Sequence, residues 1–130
     1  MMQEIGLDEL QGYVEIAFSG DIDLPTYHIS NEANYAQHTY EQIVKTAEIL
    51  PLRYYKVGEF GFTVLTDGLL YSFGINHAHR DKKTLELWFA EIKNILGRFD
   101  CVLHSKNSRA INHLVKQGMK ITDYSTVLSI

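Results

Sequence analysis

The stretch that decides the fold is Asn107-Ser108-Arg109-Ala110-Ile111-Asn112-His113-Leu114-Val115-Lys116-Gln117-Gly118-Met119. It follows the run from Phe99 to His104, which is too short and too apolar to be anything but a buried strand. Ser108 reads as a helix cap. Ala110, Ile111, Leu114 and Val115 share one helical face, and Gly118 supplies the stop. Upstream, Leu85, Trp88, Phe89, Ile92, Ile95 and Leu96 form a second apolar stripe, closed by Gly97. Val127 to Ile130 can close as an edge strand. The last third therefore reads helix, strand, helix, strand.

Outward from there the pattern changes. Leu69 to His77 reads as the longest strand, joined to Phe62–Leu65 by Asp67-Gly68, a strong hairpin signal. A tyrosine-rich strand at Leu52 to Val57 precedes them, with a turn over Gly58 to Gly61. Pro51 ends a helix that Ser30 can cap, with Ala36, Tyr40, Ile43, Val44 and Ala47 on its inner face. Leu7, Leu10, Val14 and Ala17 or Phe18 mark a first helix over about residues 7 to 18. The loop that follows carries Gly20, Asp21, Asp23 and Pro25. Its two aspartates are too few for a calcium loop and read as loop caps.

The 130 residues suit a single domain, 1–130, with chain enough for a real core. A net charge of −4 disfavours a nucleic-acid binder, which would show a basic patch. One cysteine, Cys101, excludes intrachain disulfides and multi-cysteine zinc sites, and its apolar strand implies a buried, inert thiol. No signal peptide opens the chain, and no apolar run reaches the roughly 18 residues that span a bilayer. The expected setting is cytoplasmic, in a host cytoplasm or in a particle assembled there.

Antiparallel strands followed by a βαβ crossover, with the string from Asn107 to Met119, resemble the GNAT N-acetyltransferase superfamily. Its last-helix motif runs N-x-x-A-I-x-x-Y-x-x-x-G-F. Asn107, Ala110, Ile111 and Gly118 match, Leu114 stands at the tyrosine position, and Met119 replaces the aromatic. The element order matches along about the whole chain and the motif over residues 69 to 120, with the usual first strand short or missing. The resemblance implies an α+β fold: a mixed central sheet with helices on both faces. The compact size is also similar to that of small GNAT-like proteins of tailed phages.

The resemblance further implies a CoA site where two parallel strands splay, beside Ile75, Asn76 and His77 on one strand and Val102 to Ser105 on the other. The family's phosphate loop, R-x-x-G-x-G/A, corresponds to Arg80-Asp81-Lys82-Lys83-Thr84-Leu85. Arg80 is kept. Lys83 and Leu85 stand where bare backbone would meet the phosphates at a helix N-terminus. Lys82 and Lys83 can still attract phosphate, and read more simply as a solvated first turn. Asn107 would bond the cofactor arm, or serve only as a turn residue before a helix.

Leu114 cannot protonate a departing thiolate, so Tyr124 or Tyr71 would have to substitute. Glu59, His77 or His104 could act as base at a strand end. His77 and His79, with His104 on the next strand, lack a placed carboxylate, and no metal is expected. His28, His38 and His113 read as ordinary polar positions.

The lost glycines and tyrosine tilt the reading toward a non-catalytic GNAT-fold protein, a binding or structural module of a larger assembly such as a phage particle. Its partners would be other protein chains, docked at the splay or on the sheet around Tyr54, Tyr55, Tyr71 and Phe73. On that reading acetyl-CoA binds weakly or not at all. The alternative is an acetyl-CoA-dependent N-acyltransferase acting on an unknown amine.

Overall fold

The computed structural model describes residues 1–21, 32–103, 107–121 and 127–129. Among the described residues seven strands form one sheet, in the order β1-β2-β3-β4-β5-β7-β6. They are β1 (Met2–Ile5), β2 (Arg53–Val57), β3 (Gly61–Thr66), β4 (Leu69–Ile75), β5 (Asp100–Val102), β6 (Lys120–Ile121) and β7 (Val127–Ser129). Four α-helices accompany them: α1 (Leu7–Phe18), α2 (Glu32–Ala47), α3 (Lys82–Leu96) and α4 (Ser108–Lys116). Every neighbouring pair of strands is antiparallel except β4 and β5, which run parallel. The mixed α+β sheet expected from the sequence is present.

The sheet is covered on both faces, and β3 shows why. Successive side chains of a strand point to opposite faces. Phe62 and Val64 pack with Leu10, Val14 and Ala17 of α1 and Ile43 of α2. Leu65 packs on the other side with Trp88, Phe89 and Ile92 of α3. Thr63 shares that side and accepts the buried Trp88 Nε1–H at 2.9 Å. All six residues of β3 are consequently buried. Trp88 is wholly enclosed, as its place on the α3 stripe requires.

The structure corrects several expectations. The first strand, expected to be short or missing, is short: the four-residue β1 pairs antiparallel with β2 along its length. Gln3 and Glu4 hid it, because a four-residue edge strand needs only one covered face. Val127–Ser129 is not an edge strand, since the two-residue β6 pairs on its far side. β4 stops at Ile75, where a 3-10 turn over His77–His79 begins. Ile95 and Val115 are exposed, not core. Asn107, not Ser108, caps α4. Ser30 lies outside the described residues.

The four aromatic residues of the expected contact surface divide between the two faces of the sheet. Tyr54 and Tyr71 pack beneath α1 and α2, whereas Tyr55 and Phe73 belong to the cluster under α3. No described helix is long and apolar enough to cross a membrane.

Candidate functional site

The parallel seam between β4 and β5 is short. Leu69 pairs with Asp100 and Leu70 with Cys101, and then the strands part. The cause lies in β4. Val64 of β3 pairs with Ser72 and Leu65 with Leu70, so Tyr71 has no partner in that ladder. A bulge of this kind bends its strand and sharpens the local twist, here at the residue after the seam. The remainder of β4 swings away from β5, and α4 closes the far end.

A cavity of about 410 Å³ fills this wedge, within the usual ligand-pocket range of roughly 300–1,000 Å³. Phe73 and Ile75 line one side, Val102 and Leu103 the other, and Leu85 and Trp88 contribute from α3. The α4 wall presents Asn107, Arg109, Ala110 and His113.

Two charged side chains, Arg80 and Arg109, line this cavity and meet at one buried carboxylate. The Asp21 carboxylate, 1% exposed, receives Arg80 Nη2 at 2.5 Å and Arg109 Nη1 at 3.0 Å. Arg80 is fixed further by Nε donating to the Ile75 carbonyl at 2.7 Å. The segment after α1, the turn after β4 and the start of α4 are thereby tied together around one carboxylate. Asp21 is thus more than the loop cap read from the sequence.

The expected site residues divide. Ile75, Arg80 and Asn107 line the cavity. Asn107 Oδ1 also accepts the Ala110 N–H at 3.4 Å and so caps α4. Asn76 faces elsewhere. Its Nδ2 donates to the Ile16 and Ser19 carbonyls and its Oδ1 accepts from Ala78, which fastens the end of α1. His77, Lys82 and Lys83 are exposed and do not line the cavity.

Tyr71 borders the cavity, but its hydroxyl shares a 2.6 Å hydrogen bond with Thr46 of α2. Glu59 lies outside the cavity, on the surface. It accepts from Lys56 Nζ and the Tyr13 hydroxyl, and those bonds hold its carboxyl below the usual value. Tyr124 and His104 fall outside the described residues. No metal-holding cluster of histidine, cysteine or acidic side chains occurs among the described residues.

The N-terminus of α3 is already occupied by a negative charge. Asp81 Oδ2 accepts the Thr84 N–H at 3.0 Å, and Oδ1 accepts the Thr84 hydroxyl at 2.8 Å. These bonds lower the Asp81 pKa and keep it ionised where the helix dipole favours an anion. A ligand phosphate would compete with that carboxylate.

Sequence reasoning passed over His113. Its Nε2 is buried and has no hydrogen-bond partner among the described residues. The ring centroid lies 6.2 Å from that of Trp88. Burial, with Lys116 nearby, lowers its pKa and favours the neutral imidazole. The next residue, Leu114, is fully buried in the α3-side core and presents nothing to the cavity.

Comparison with solved structures decides the architecture. The PaiA N-acetyltransferase of Thermoplasma acidophilum, determined in complex with coenzyme A, matches 99% of this chain and 96% of its own at a TM-score of 0.63 and 18% identity. The putative acetyltransferase YncA of Salmonella typhimurium, determined with acetyl-CoA, matches 100% and 92% at 0.58 and 11%. A possible acetyltransferase of Clostridium difficile 630 matches 95% and 92% at 0.60 and 14%.

The chain has the GNAT N-acetyltransferase fold.

No family model matches the sequence, and no curated protein matches it. At such identities the likeness carries the GNAT fold and no more. Within that fold, the wedge between β4 and β5 is the place that the sequence resemblance assigns to CoA.

Proposed function

We propose that the protein is an acyl-CoA-dependent N-acyltransferase, with the acyl-pantetheine arm seated between β4 and β5. The supporting observation is the open wedge: a cavity of about 410 Å³ at the parallel seam between β4 and β5. Two neighbours of the same fold were determined with CoA or acetyl-CoA. The residues fit the arm better than the phosphates. Phe73, Val102 and Leu103 offer apolar walls, and the parting strands offer backbone donors and acceptors that need partners. Asp81, Lys83 and Leu85 make a poor phosphate cradle. Arg80 and Arg109 are the cations closest to hand, both engaged by Asp21.

The reaction would be attack of a primary amine on the thioester carbonyl. A C–N bond forms, the C–S bond breaks, and one proton moves from nitrogen to sulfur. The chain's part is to hold both reactants in line and to exclude water. Calorimetric titration with acetyl-CoA tests the reading, with a dissociation constant in the micromolar range expected. No heat of binding at millimolar ligand would overturn it.

A second reading, a non-catalytic module of a protein assembly such as a phage particle, has one observation in its favour. Leu114 is sealed in the core at the family's tyrosine position. Absent CoA binding together with stable association to another chain in native purification would establish that reading instead.

A further inference from the structure

Resting on the transferase reading, we propose that the cavity continues through the sheet into an aromatic chamber beneath α1 and α2, and that this chamber takes the ring of an arylalkyl amine acceptor. The inference begins with which residues share one space. The sheet separates two hydrophobic clusters, one on the side of α3 and α4 and one on the side of α1 and α2. The cavity is lined from both. Phe73, Ile75, Leu85 and Trp88 pack in the first cluster, and Phe18, Tyr35 and Tyr71 in the second. A space that touches both clusters crosses the sheet, and it does so where β4 and β5 part.

The bulge in β4 builds the floor of the chamber. Phe62 pairs with Gly74 and Val64 with Ser72, and directly opposed residues share a face. Phe62 and Val64 face α1 and α2, so Gly74 and Ser72 do too. Tyr71, unpaired in that ladder, packs on the same side. Two consecutive side chains of β4 thus project onto one face, which a regular strand does not allow. Gly74 leaves the floor bare, and a Cβ there would stand 3.0 Å from Phe18 Cζ. Tyr35 and Thr39 come down from α2, one turn apart. Tyr35, Thr39, Tyr71 and Ser72 are half-buried and keep accessible surface.

Rings dominate these walls. Phe18 and Tyr35 meet edge to face, with centroids 4.7 Å apart at 89°. The hydroxyl of Tyr71 is bonded to Thr46, so Tyr71 offers the chamber its ring. A ligand ring extends such an array at the usual spacing of about 4.5–7 Å. The hydroxyls of Thr39 and Ser72 supply the few polar groups that fix orientation in pockets of this kind. Arg80 and Arg109 also line the cavity, and their charge repels the second ammonium of a diamine. The two sides suit two reactants. With the acyl-pantetheine arm in the wedge, an amine from the chamber meets the thioester carbonyl at the level of the sheet. The C–N bond forms, the C–S bond breaks and one proton passes from nitrogen to sulfur.

The test uses the full chain and two variants: Thr39→Trp, which fills the chamber from α2, and Tyr35→Leu, which removes a ring from its wall. Calorimetry with CoA comes first and shows that each protein is folded. No binding by the wild type would overturn the proposed function and this inference with it. Where one variant fails to bind CoA, the wild-type series and the other variant decide. Thiol release from acetyl-CoA is then followed with phenethylamine, n-butylamine, 1,4-diaminobutane and β-alanine as acceptors. In the wild type kcat/KM for phenethylamine should exceed that for n-butylamine by about 10²-fold, with the diamine and β-alanine no better than n-butylamine. Each variant should lower that preference about tenfold or more. A wild type that uses n-butylamine as readily as phenethylamine would overturn the chamber's role and leave the transferase reading standing. So would a preference for β-alanine or the diamine, or an aryl preference that survives in both variants. A last arm pairs n-butylamine with phenylacetyl-CoA, and acetyl-CoA should remain the better donor. Faster transfer from phenylacetyl-CoA, lost in Thr39→Trp, would give the chamber to the acyl group and overturn the acceptor proposal. A wild type that binds CoA but releases no thiol with any acceptor would overturn the transferase reading and this inference together.

Discussion

Trp88 and Thr63 are joined inside the protein by a 2.9 Å hydrogen bond from indole to hydroxyl, and both residues are fully buried. The bond fixes α3 at one register on β3. Thr63→Val keeps the shape and removes the acceptor, leaving a buried N–H unpaired at a cost of about 1–3 kcal/mol. Trp88→Ala should cost about 3–5 kcal/mol, as large core deletions do. Urea unfolding measures both, and a neutral Thr63→Val would show that the indole finds another partner.

Gly74 sets the distance between α1 and the sheet. A Cβ there would stand 2.8 Å from Phe62 Cε1, 3.0 Å from Phe18 Cζ and 3.1 Å from Ala17 Cβ. Gly74→Ala should destabilise the protein by about 1–3 kcal/mol, the usual cost of overpacking. Gly12→Ala, with open space around it, should not. Thermal melts of the pair give the comparison.

Cys101 belongs to β5 with its side chain in the core on the α3 side, and burial pushes its thiol up to about 12. The thiolate is the reactive form. An aromatic disulfide reagent at pH 8 should therefore leave the native protein unlabelled and label one thiol in urea. Rapid native labelling would mean that β5 opens readily.

The imidazole of His113 ties stability to pH. Its folded pKa lies below the unfolded value near 6.5. Between the two values the unfolded chain holds the extra proton, so stability falls as pH drops through 6.5 and levels off below the folded value. His113→Gln should lose this component. Denaturant midpoints at pH 7.5 and 5 should differ more for the wild type than for the variant.

Asp81 opposes phosphate at the start of α3. Asp81→Ser keeps a capping oxygen and removes the charge. Affinity for CoA should rise while the melting temperature stays close to that of the wild type. Unchanged affinity would show that the phosphates lie away from this helix.

Legibility in the sequence followed burial. The α3 stripe, the Asp67-Gly68 hairpin and the α4 string were all readable, because each rests on a strong period or a turn with a defined chemistry. Met2–Ile5 and Lys120–Ile121 were not, because short strands at a sheet margin take their conformation from a neighbour and show little pattern of their own. The site was only half visible. Arg80 and Asn107 stood out through the family motif. Asp21 and Arg109 meet at 3.0 Å across 88 residues of chain, and nothing local marks that. His113 looked like surface because helix periodicity reports the core face and not the wall of a cavity beside it.

The short seam between β4 and β5 also governs how the molecule can move. The strands from β1 to β4 are laced by ladders of four to six residue pairs, whereas β5, β7 and β6 join them through two residue pairs at one corner. Mechanically this is a pair of plates on a hinge. The Asp21–Arg109 pair acts as a strut on the open side, opposite the pin. Anything lodged in the wedge props the plates apart and stiffens them together. Amide exchange in Asp100–Val102 and Ser108–Lys116 is then a gauge of occupancy that needs no knowledge of the reaction.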